Sequence, residues 1–221
     1  MIFAKDNSWA FVHVPRCGGT WVEVQIERSG IGTTNYKDEN GNRIRRGGHD
    51  WPEGNPMVPH LCAIDPGYLL GRGYEGVPVP KDTKVFATVR DPASWYLSYY
   101  NLRKGMDFRG KTFPIDRIKH DMRKVPSFEG FVHWMVDEYP GYLGRVYQQM
   151  LADRYDFIWK QSHLREGLHK ALGKVGVEIE ITNERENQSF SYATMTDELK
   201  TLIEHTEPIA LEYHQIAWPH I

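Results

Sequence analysis

A cation, two glycines and a hydroxyl stand within five positions near the start of the chain, at Arg16, Gly18, Gly19 and Thr20. Arginine carries a permanent positive charge and a fork of N–H donors that suits phosphate and sulfate oxygens. Glycine has no Cβ, so at two of these positions the backbone can approach a tetrahedral oxyanion closely. These residue types in this order predict a cradle for a phosphate or sulfate group.

The flanking sequence predicts the elements that position this cradle. Residues 9 to 14 form an apolar run typical of a buried strand, residues 15 to 19 a tight turn, and an amphipathic helix is expected from Thr20. A helix N-terminus at the end of a strand directs N–H groups toward one spot. A Walker A loop needs a lysine before its Ser or Thr, and here Thr20 follows Gly19 directly, which disfavours ATP or GTP. The simpler interpretation is a Gly-Gly turn between a core strand and a helix.

A second segment, residues 84 to 100, repeats the order of strand, sharp turn and helix. Residues 85 to 89 suit a buried parallel strand, and Pro92 suits the first turn of a helix. Arg90 ends the strand and Ser98 lies about two turns into the helix. Because ligands bind at the carboxyl ends of strands in open α/β sheets, Arg90 and Ser98 are predicted to hold a second phosphate. The alternatives are a salt bridge from Arg90 to Asp91 or to a neighbouring carboxylate, and a serine that bonds its own helix backbone.

Together the two segments resemble the sulfotransferases that use 3′-phosphoadenylyl sulfate (PAPS) as donor. His-Val-Pro-Arg-Cys-Gly-Gly-Thr-Trp at 13 to 21 looks like that family's 5′-phosphosulfate loop, and Val-Arg-Asp-Pro at 89 to 92, followed by Ser98, looks like its 3′-phosphate element. The paired glycines and the His-x-Pro are closer to the carbohydrate and microbial branch than to the small-phenol branch. The likeness is specific over residues 9 to 28 and 84 to 103 and general over 157 to 173 and 183 to 189.

The resemblance implies a P-loop NTPase-like fold and transfer of a sulfuryl group from PAPS to a hydroxyl, with release of adenosine 3′,5′-bisphosphate (PAP). The implied PAPS contacts are Arg16, Cys17, Gly18, Gly19, Thr20, Trp21, Arg90 and Ser98. The family usually has lysine where this chain has Arg16. Arginine keeps the electrostatic stabilisation of the leaving phosphate but cannot donate its proton to it. A sulfuryl group carries less charge than a phosphoryl group, so no metal is inferred.

A hydroxyl acceptor needs a general base, and histidine titrates near neutral pH. His13 lies in the strand before the cradle and is interpreted as a core histidine. In the family the base is commonly a histidine between the two cofactor segments. His60 matches that element best and His49 next, with Glu53 or Asp65 as acidic alternatives.

Composition restricts the class of protein. A net charge of −2 over 221 residues argues against a general nucleic-acid binder. The two cysteines are too few for a disulfide framework, and no Cys/His spacing suits zinc. The absence of a signal peptide or long apolar run predicts a cytoplasmic protein that does not enter the membrane.

The expected fold is a single α/β domain over residues 1 to 221, with a parallel sheet flanked by helices and a mostly helical second half. Residues 30 to 80 hold 10 of the 20 glycines and six prolines, so they are predicted to be an irregular insertion that binds a glycan or small-molecule acceptor. Residues 105 to 126 are basic and form either a flap over an anionic acceptor or a solvated loop.

Local signals predict the remaining elements. Ser127 is expected to cap a helix over residues 128 to 138, and residues 144 to 152 and 162 to 174 are predicted helices around a strand at 156 to 160. Thr194 is expected to cap a last helix that Pro208 kinks. A P-loop-type kinase and a non-catalytic nucleotide-binding protein remain as alternative functions.

Overall fold

A computed structural model describes residues 2–33, 68–70, 76–78, 80–105, 127–151, 154–182 and 193–220. The strands are β1 (Ile2–Ala4), β2 (Trp9–Val12), β3 (Gly32–Thr33), β4 (Tyr68–Leu70), β5 (Gly76–Pro78), β6 (Lys84–Val89) and β7 (Phe157–Lys160). The helices are α1 (Gly19–Ser29), α2 (Pro92–Gly105), α3 (Phe128–Glu138), α4 (Tyr142–Leu151), α5 (Leu164–Gly173), α6 (Asp197–Thr206) and α7 (Pro208–Ile216).

Five strands form the main sheet, in the order β3-β1-β2-β6-β7. Strands β2, β6 and β7 are parallel, with Phe11 beside Phe86 and Ala87 beside Ile158. Strands β1 and β3 are antiparallel additions at one edge, so the expectation of a parallel sheet is wrong for these two strands. A turn over Lys5–Ser8 is too short for a parallel crossover, and it makes β1 and β2 a hairpin. The carboxyl ends of the three parallel strands still lie side by side.

Helices cover both faces of the sheet. Val22 and Ile26 of α1 and Leu172 of α5 pack on one face, against Phe11 and Trp159 of the strands. Helices α2, α3, α4, α6 and α7 bury the other face in a larger core, which includes Trp95, Phe131, Leu143, Ile203 and Tyr213. The prediction of an α/β fold with a mostly helical second half is therefore confirmed over the described residues.

Most predicted helices exist, with shifted ends. Ser127 caps α3 by accepting a hydrogen bond from the Gly130 N–H at 3.0 Å, as predicted. The cap of α6 is Thr196, not Thr194, and Pro208 separates α6 from α7 instead of kinking one helix. Proline has no N–H to continue a helix but suits its first turn, so a new helix starts at Pro208.

The break at Pro208 leaves Glu207 between α6 and α7, where its side chain bonds the start of a third helix, α4. Its buried carboxylate accepts from the N–H groups of Leu143 and Gly144, each at 3.0 Å, and from the Tyr96 hydroxyl at 2.6 Å. The first N–H groups of a helix lack partners within the helix, so Glu207 satisfies donors at the start of α4. Burial raises the pKa of Glu207 although these hydrogen bonds lower it. The contacts join α2, α4 and α7 behind the sheet.

Candidate functional site

The turn after β2 adopts the backbone that an oxyanion cradle needs. Arg16 and Gly18 both have left-handed conformations, with φ of 64° and 84°. Gly18 is the N-cap of α1 and offers no side-chain cap. A non-glycine residue in this region is uncommon, and such residues concentrate at functional sites. The helix therefore begins at Gly19, one residue before the predicted start, with its N-terminus facing the carboxyl edge of the sheet.

Three consecutive amides of this turn are available as donors. The N–H groups of Gly18, Gly19 and Thr20 form no hydrogen bond with the described part of the chain. The Cys17 N–H is instead bonded to the Val14 carbonyl at 3.3 Å, and the Trp21 N–H to the Gly18 carbonyl at 3.1 Å. Of the backbone amides predicted over residues 16 to 21, three consecutive ones at the helix N-terminus are therefore available to a ligand. Unbonded amides at a helix N-terminus are suited to binding anions.

Close side-chain contacts explain both glycines. A Cβ on Gly19 would lie 2.6 Å from Cδ2 of His13, and one on Gly18 would lie 2.8 Å from Cδ1 of Leu164. His13 is buried, and its Nδ1 lies 2.9 Å from a carboxylate oxygen of the buried Glu23. The interpretation of His13 as a core histidine is confirmed, and its ring packs against the turn at Gly19.

The second segment holds the first through three side chains. The Trp95 indole N–H donates to the Pro15 carbonyl at 2.9 Å, and the Arg90 guanidinium donates to the Arg16 carbonyl at 3.3 Å. In the opposite direction, Nε and Nη2 of Arg16 donate to the Ser98 hydroxyl at 3.1 and 2.9 Å. Arg16, Arg90 and Ser98 therefore converge at one place, although 82 residues separate Arg16 from Ser98. Neither a salt bridge from Arg90 to Asp91 nor a hydrogen bond from Ser98 to its own helix backbone explains these contacts.

Tyr147 of α4 fixes the same place from within the core. Its hydroxyl accepts from the Arg90 N–H at 2.9 Å and donates to the Arg90 carbonyl at 2.7 Å. The Cys17 Sγ lies 3.6 Å from that hydroxyl. Since the one hydroxyl proton goes to the Arg90 carbonyl, the thiol is the donor to Tyr147. One buried phenol thus ties the turns after β2 and β6 together.

The electrostatics of the site favour a bound anion. Burial lowers the pKa of Arg16, and the adjacent positive charge of Arg90 lowers it further. Within the described residues Arg90 forms no ion pair, and its buried Nε has no hydrogen-bond partner. A buried donor without a partner costs free energy that a ligand oxygen can recover.

Cys17 does not act as a thiolate. It is fully buried, and burial raises its pKa to about 12 in spite of the charges of Arg90 and Arg16, which lower it. Its side chain is packed in the larger core. Trp95 is also fully buried, while Trp21 is half-buried against the smaller core.

The predicted general bases His60 and His49 lie outside the described residues, as do Glu53 and Asp65. Two residues near the site were missed by the sequence analysis. Tyr147 belongs to the apolar stripe of α4, which signals burial but not its contact with Arg90. Lys160 is buried at the carboxyl end of β7, and a lysine that closes an apolar strand was the available signal.

Comparisons with models of protein families, with characterised proteins and with solved structures gave no match. Within the described ranges no group of His, Cys, Asp and Glu side chains could hold a metal ion. In the same ranges no helix is both long and apolar enough to cross a membrane.

Proposed function

We propose that this protein is a sulfotransferase that moves a sulfuryl group from PAPS to a hydroxyl of a carbohydrate or small-metabolite acceptor and releases PAP. One observation carries the proposal. The three unbonded amides from Gly18 to Thr20 and the side chains of Arg90 and Ser98 supply two sets of polar groups, which Arg16 joins by hydrogen bonds. PAPS presents anionic groups at both its 5′ and 3′ positions, so two such sets suit it.

The fold supports the same interpretation. Strands β2 and β6 are adjacent and parallel, and each leads through a sharp turn into a helix at the carboxyl edge of the sheet. A P-loop-like topology places a phosphate loop and a neighbouring phosphate site in this relation. The sequence resemblance of the two segments to PAPS-dependent sulfotransferases is the second support.

Different residues bind the two phosphates of PAPS and stabilise the charge on the leaving phosphate. The amides from Gly18 to Thr20 orient the 5′-phosphate, and Arg90 with Ser98 binds the 3′-phosphate. PAPS supplies the sulfuryl group, and its 5′-phosphate takes up the electron pair when the S–O bond breaks. Arg16 stabilises that negative charge by its fixed positive charge alone, since arginine does not give up its proton. The acceptor proton is predicted to pass to His60 or His49 as the acceptor oxygen attacks sulfur.

Titration calorimetry with PAP, adenosine 5′-monophosphate (AMP) and ATP with magnesium tests the binding half of the proposal. We expect PAP to bind at least about tenfold more tightly than AMP, because only PAP engages Arg90. Binding of ATP with magnesium in place of PAP would favour the P-loop-type kinase.

Transfer itself is tested by incubating the protein with [³⁵S]PAPS and a metabolite and glycan extract. We expect a labelled product with the wild-type protein and a strong loss with His60→Ala, with PAP affinity unchanged. If His49→Ala has that effect instead, the base is His49. Tight PAP binding with no labelled product across broad extracts would indicate a non-catalytic nucleotide-binding protein.

A further inference from the structure

Lys160 is a buried cation that the proposed mechanism does not use. It is the last residue of β7, and only 5% of its surface is exposed. Ile158 packs in the larger core and Trp159 in the smaller one, so strand alternation places the Lys160 side chain on the face of the larger core. Lys160 pairs in the sheet with Val89, the residue before Arg90.

A negative charge, the Asp91 carboxylate, acts on the same neighbour, His214, as the Lys160 ammonium group, but the described residues show no direct contact between the two. Lys160 forms no ion pair with any described residue. The Oδ1 of Asp91 accepts the Ser94 N–H at 2.8 Å and so caps α2. The Lys160 Nζ, unlike the Arg90 Nε, keeps contact with solvent, so an anion can reach it.

His214 lies in the last turn of α7, which packs against β7. Burial lowers the pKa of His214, the Asp91 carboxylate raises it and the Lys160 ammonium lowers it again. The chain after α7 is fixed against β7, because the Lys160 N–H donates to the Trp218 carbonyl at 2.9 Å and the Trp218 N–H donates to Ile158 at 3.0 Å. Lys160, His214 and Asp91 thus form a charged cluster beside Arg90.

The three cations follow the carboxyl ends of three adjacent parallel strands, with Arg16 after β2, Arg90 after β6 and Lys160 ending β7. Neighbouring strands are about 4.8 Å apart, so the carboxyl ends of the three strands span roughly 10 Å. That span exceeds one phosphate group. The β7 side of this edge is therefore available to an oxyanion other than the one at the turn after β2.

We propose that Lys160 and His214 form an additional oxyanion subsite beside Arg90, which takes a phosphate or sulfate group. The inference deepens the proposed function and rests on it for the nucleotide, but the anion chemistry of the subsite stands separately. The group is either a phosphate of the nucleotide or an anionic group of the acceptor.

The test compares Lys160→Met with Lys84→Met. Methionine keeps much of the length of lysine and removes its charge, and Lys84 is an exposed lysine at the opposite end of the sheet. Calorimetry measures PAP and AMP, and a thermal-shift series measures sodium sulfate. We expect Lys160→Met to melt no lower than the wild-type protein and to weaken binding of one of these anions by about tenfold. Lys84→Met should change none of them.

The ligand that loses affinity identifies the source of the anion. A loss for PAP alone assigns the 3′-phosphate to the subsite, and a loss for both PAP and AMP assigns the 5′-phosphate. A loss of sulfate stabilisation with unchanged PAP and AMP assigns an anion of the acceptor. Unchanged binding of all three in a folded Lys160→Met overturns the proposal and leaves Lys160 as a packed side chain.

The sulfate series also separates the two proposals. If PAP does not bind the wild-type protein, the proposed function fails while sulfate still tests the subsite. Should Lys160→Met not fold, the imidazole resonances of His214 in the wild-type protein decide. We expect sulfate to shift them in a saturable way, and resonances that stay in place up to saturating sulfate overturn the subsite.

Discussion

Charged residues at the two ends of the parallel strands differ in whether they form ion pairs. At the amino end, the Lys84 ammonium meets Asp156 at 2.8 Å, the second oxygen of Asp156 accepts the Val85 N–H at 2.8 Å, and Arg154 donates to the carbonyls of Pro80 and Lys81. At the carboxyl end, neither Arg90 nor Lys160 forms an ion pair within the described residues. The exposed Lys84 is paired, whereas in the described part of the chain Arg90 and Lys160 are not. Unpaired cations at buried or partly buried positions do not favour stability, which supports the proposal that the carboxyl end binds an anionic ligand.

The comparison predicts that arginine substitutions at the two ends differ most in ligand binding. Arg90→Ala should weaken PAP binding about ten- to a hundredfold, because a phosphate loses a charged, partly buried partner. Arg154→Ala removes an arginine at the amino end and should leave PAP affinity unchanged. Calorimetry on both variants measures the difference, and equal affinities would remove Arg90 from the site.

Glycine substitutions test how tightly the cradle is built. A Cβ on Gly19 would lie 2.6 Å from the ring of His13, which the carboxylate of Glu23 holds in place at 2.9 Å. Gly19→Ala should therefore lower the free energy of unfolding by about 1–3 kcal/mol. Gly173 at the end of α5 has nothing within 4 Å of its Cβ position, so Gly173→Ala is the matched control and should be neutral or slightly stabilising. Urea denaturation compares the two variants. An unchanged free energy of unfolding for Gly19→Ala would show that the turn shifts to accommodate the added methyl group.

Alkaline pH tests whether burial outweighs the arginine charges at Cys17. The folded-state pKa is raised from 9.0 to about 12, so the unfolded chain releases the thiol proton first. Stability should then fall as the pH rises from about 9 toward 12, by at most about 1.4 kcal/mol per pH unit from this group. Cys17→Ala should lose this part of the pH dependence. Parallel denaturation curves at pH 8 to 10.5 for the two proteins check it, and identical slopes would refute the raised pKa.

The smallest effect is expected at the paired, exposed end. Lys84→Met breaks the contact with Asp156, but exposed ion pairs are screened by water and salt. The free energy of unfolding should stay within the scatter of replicate denaturation curves. A clear loss of stability would show that the amino end depends on this pair, which would weaken the contrast between the two ends.

Local signals predicted the parts of the fold that a few adjacent residues determine. The two strand-turn-helix segments, the Ser127 cap and the helical second half each follow from an apolar run with glycine, proline or serine at its end. Strand β1 has three residues, too few for a period to show, and its antiparallel pairing was not foreseen. The N-cap of α6 was predicted two residues too early: Thr196, not Thr194, accepts from the Leu199 N–H.

The candidate site was predictable in its residue types but not in its contacts. Arg16, Arg90 and Ser98 could be named because their spacing beside strand ends is distinctive. That Ser98 accepts from Arg16, and that Tyr147 clamps the Arg90 backbone, depends on helix packing over 82 and 57 residues of separation. Lys160 is buried by sheet register with Val89, which no local pattern encodes.

The central claim is that the carboxyl end of β2 and β6 grips both ends of one bisphosphorylated adenosine. A crystal structure of the protein grown with saturating PAP tests it most directly. We predict a 5′-phosphate on the amides of Gly18 to Thr20 and a 3′-phosphate within hydrogen-bond distance of Arg90 and Ser98. Nucleotide density elsewhere on the molecule, or a single phosphate contact with the other end in solvent, would contradict the account.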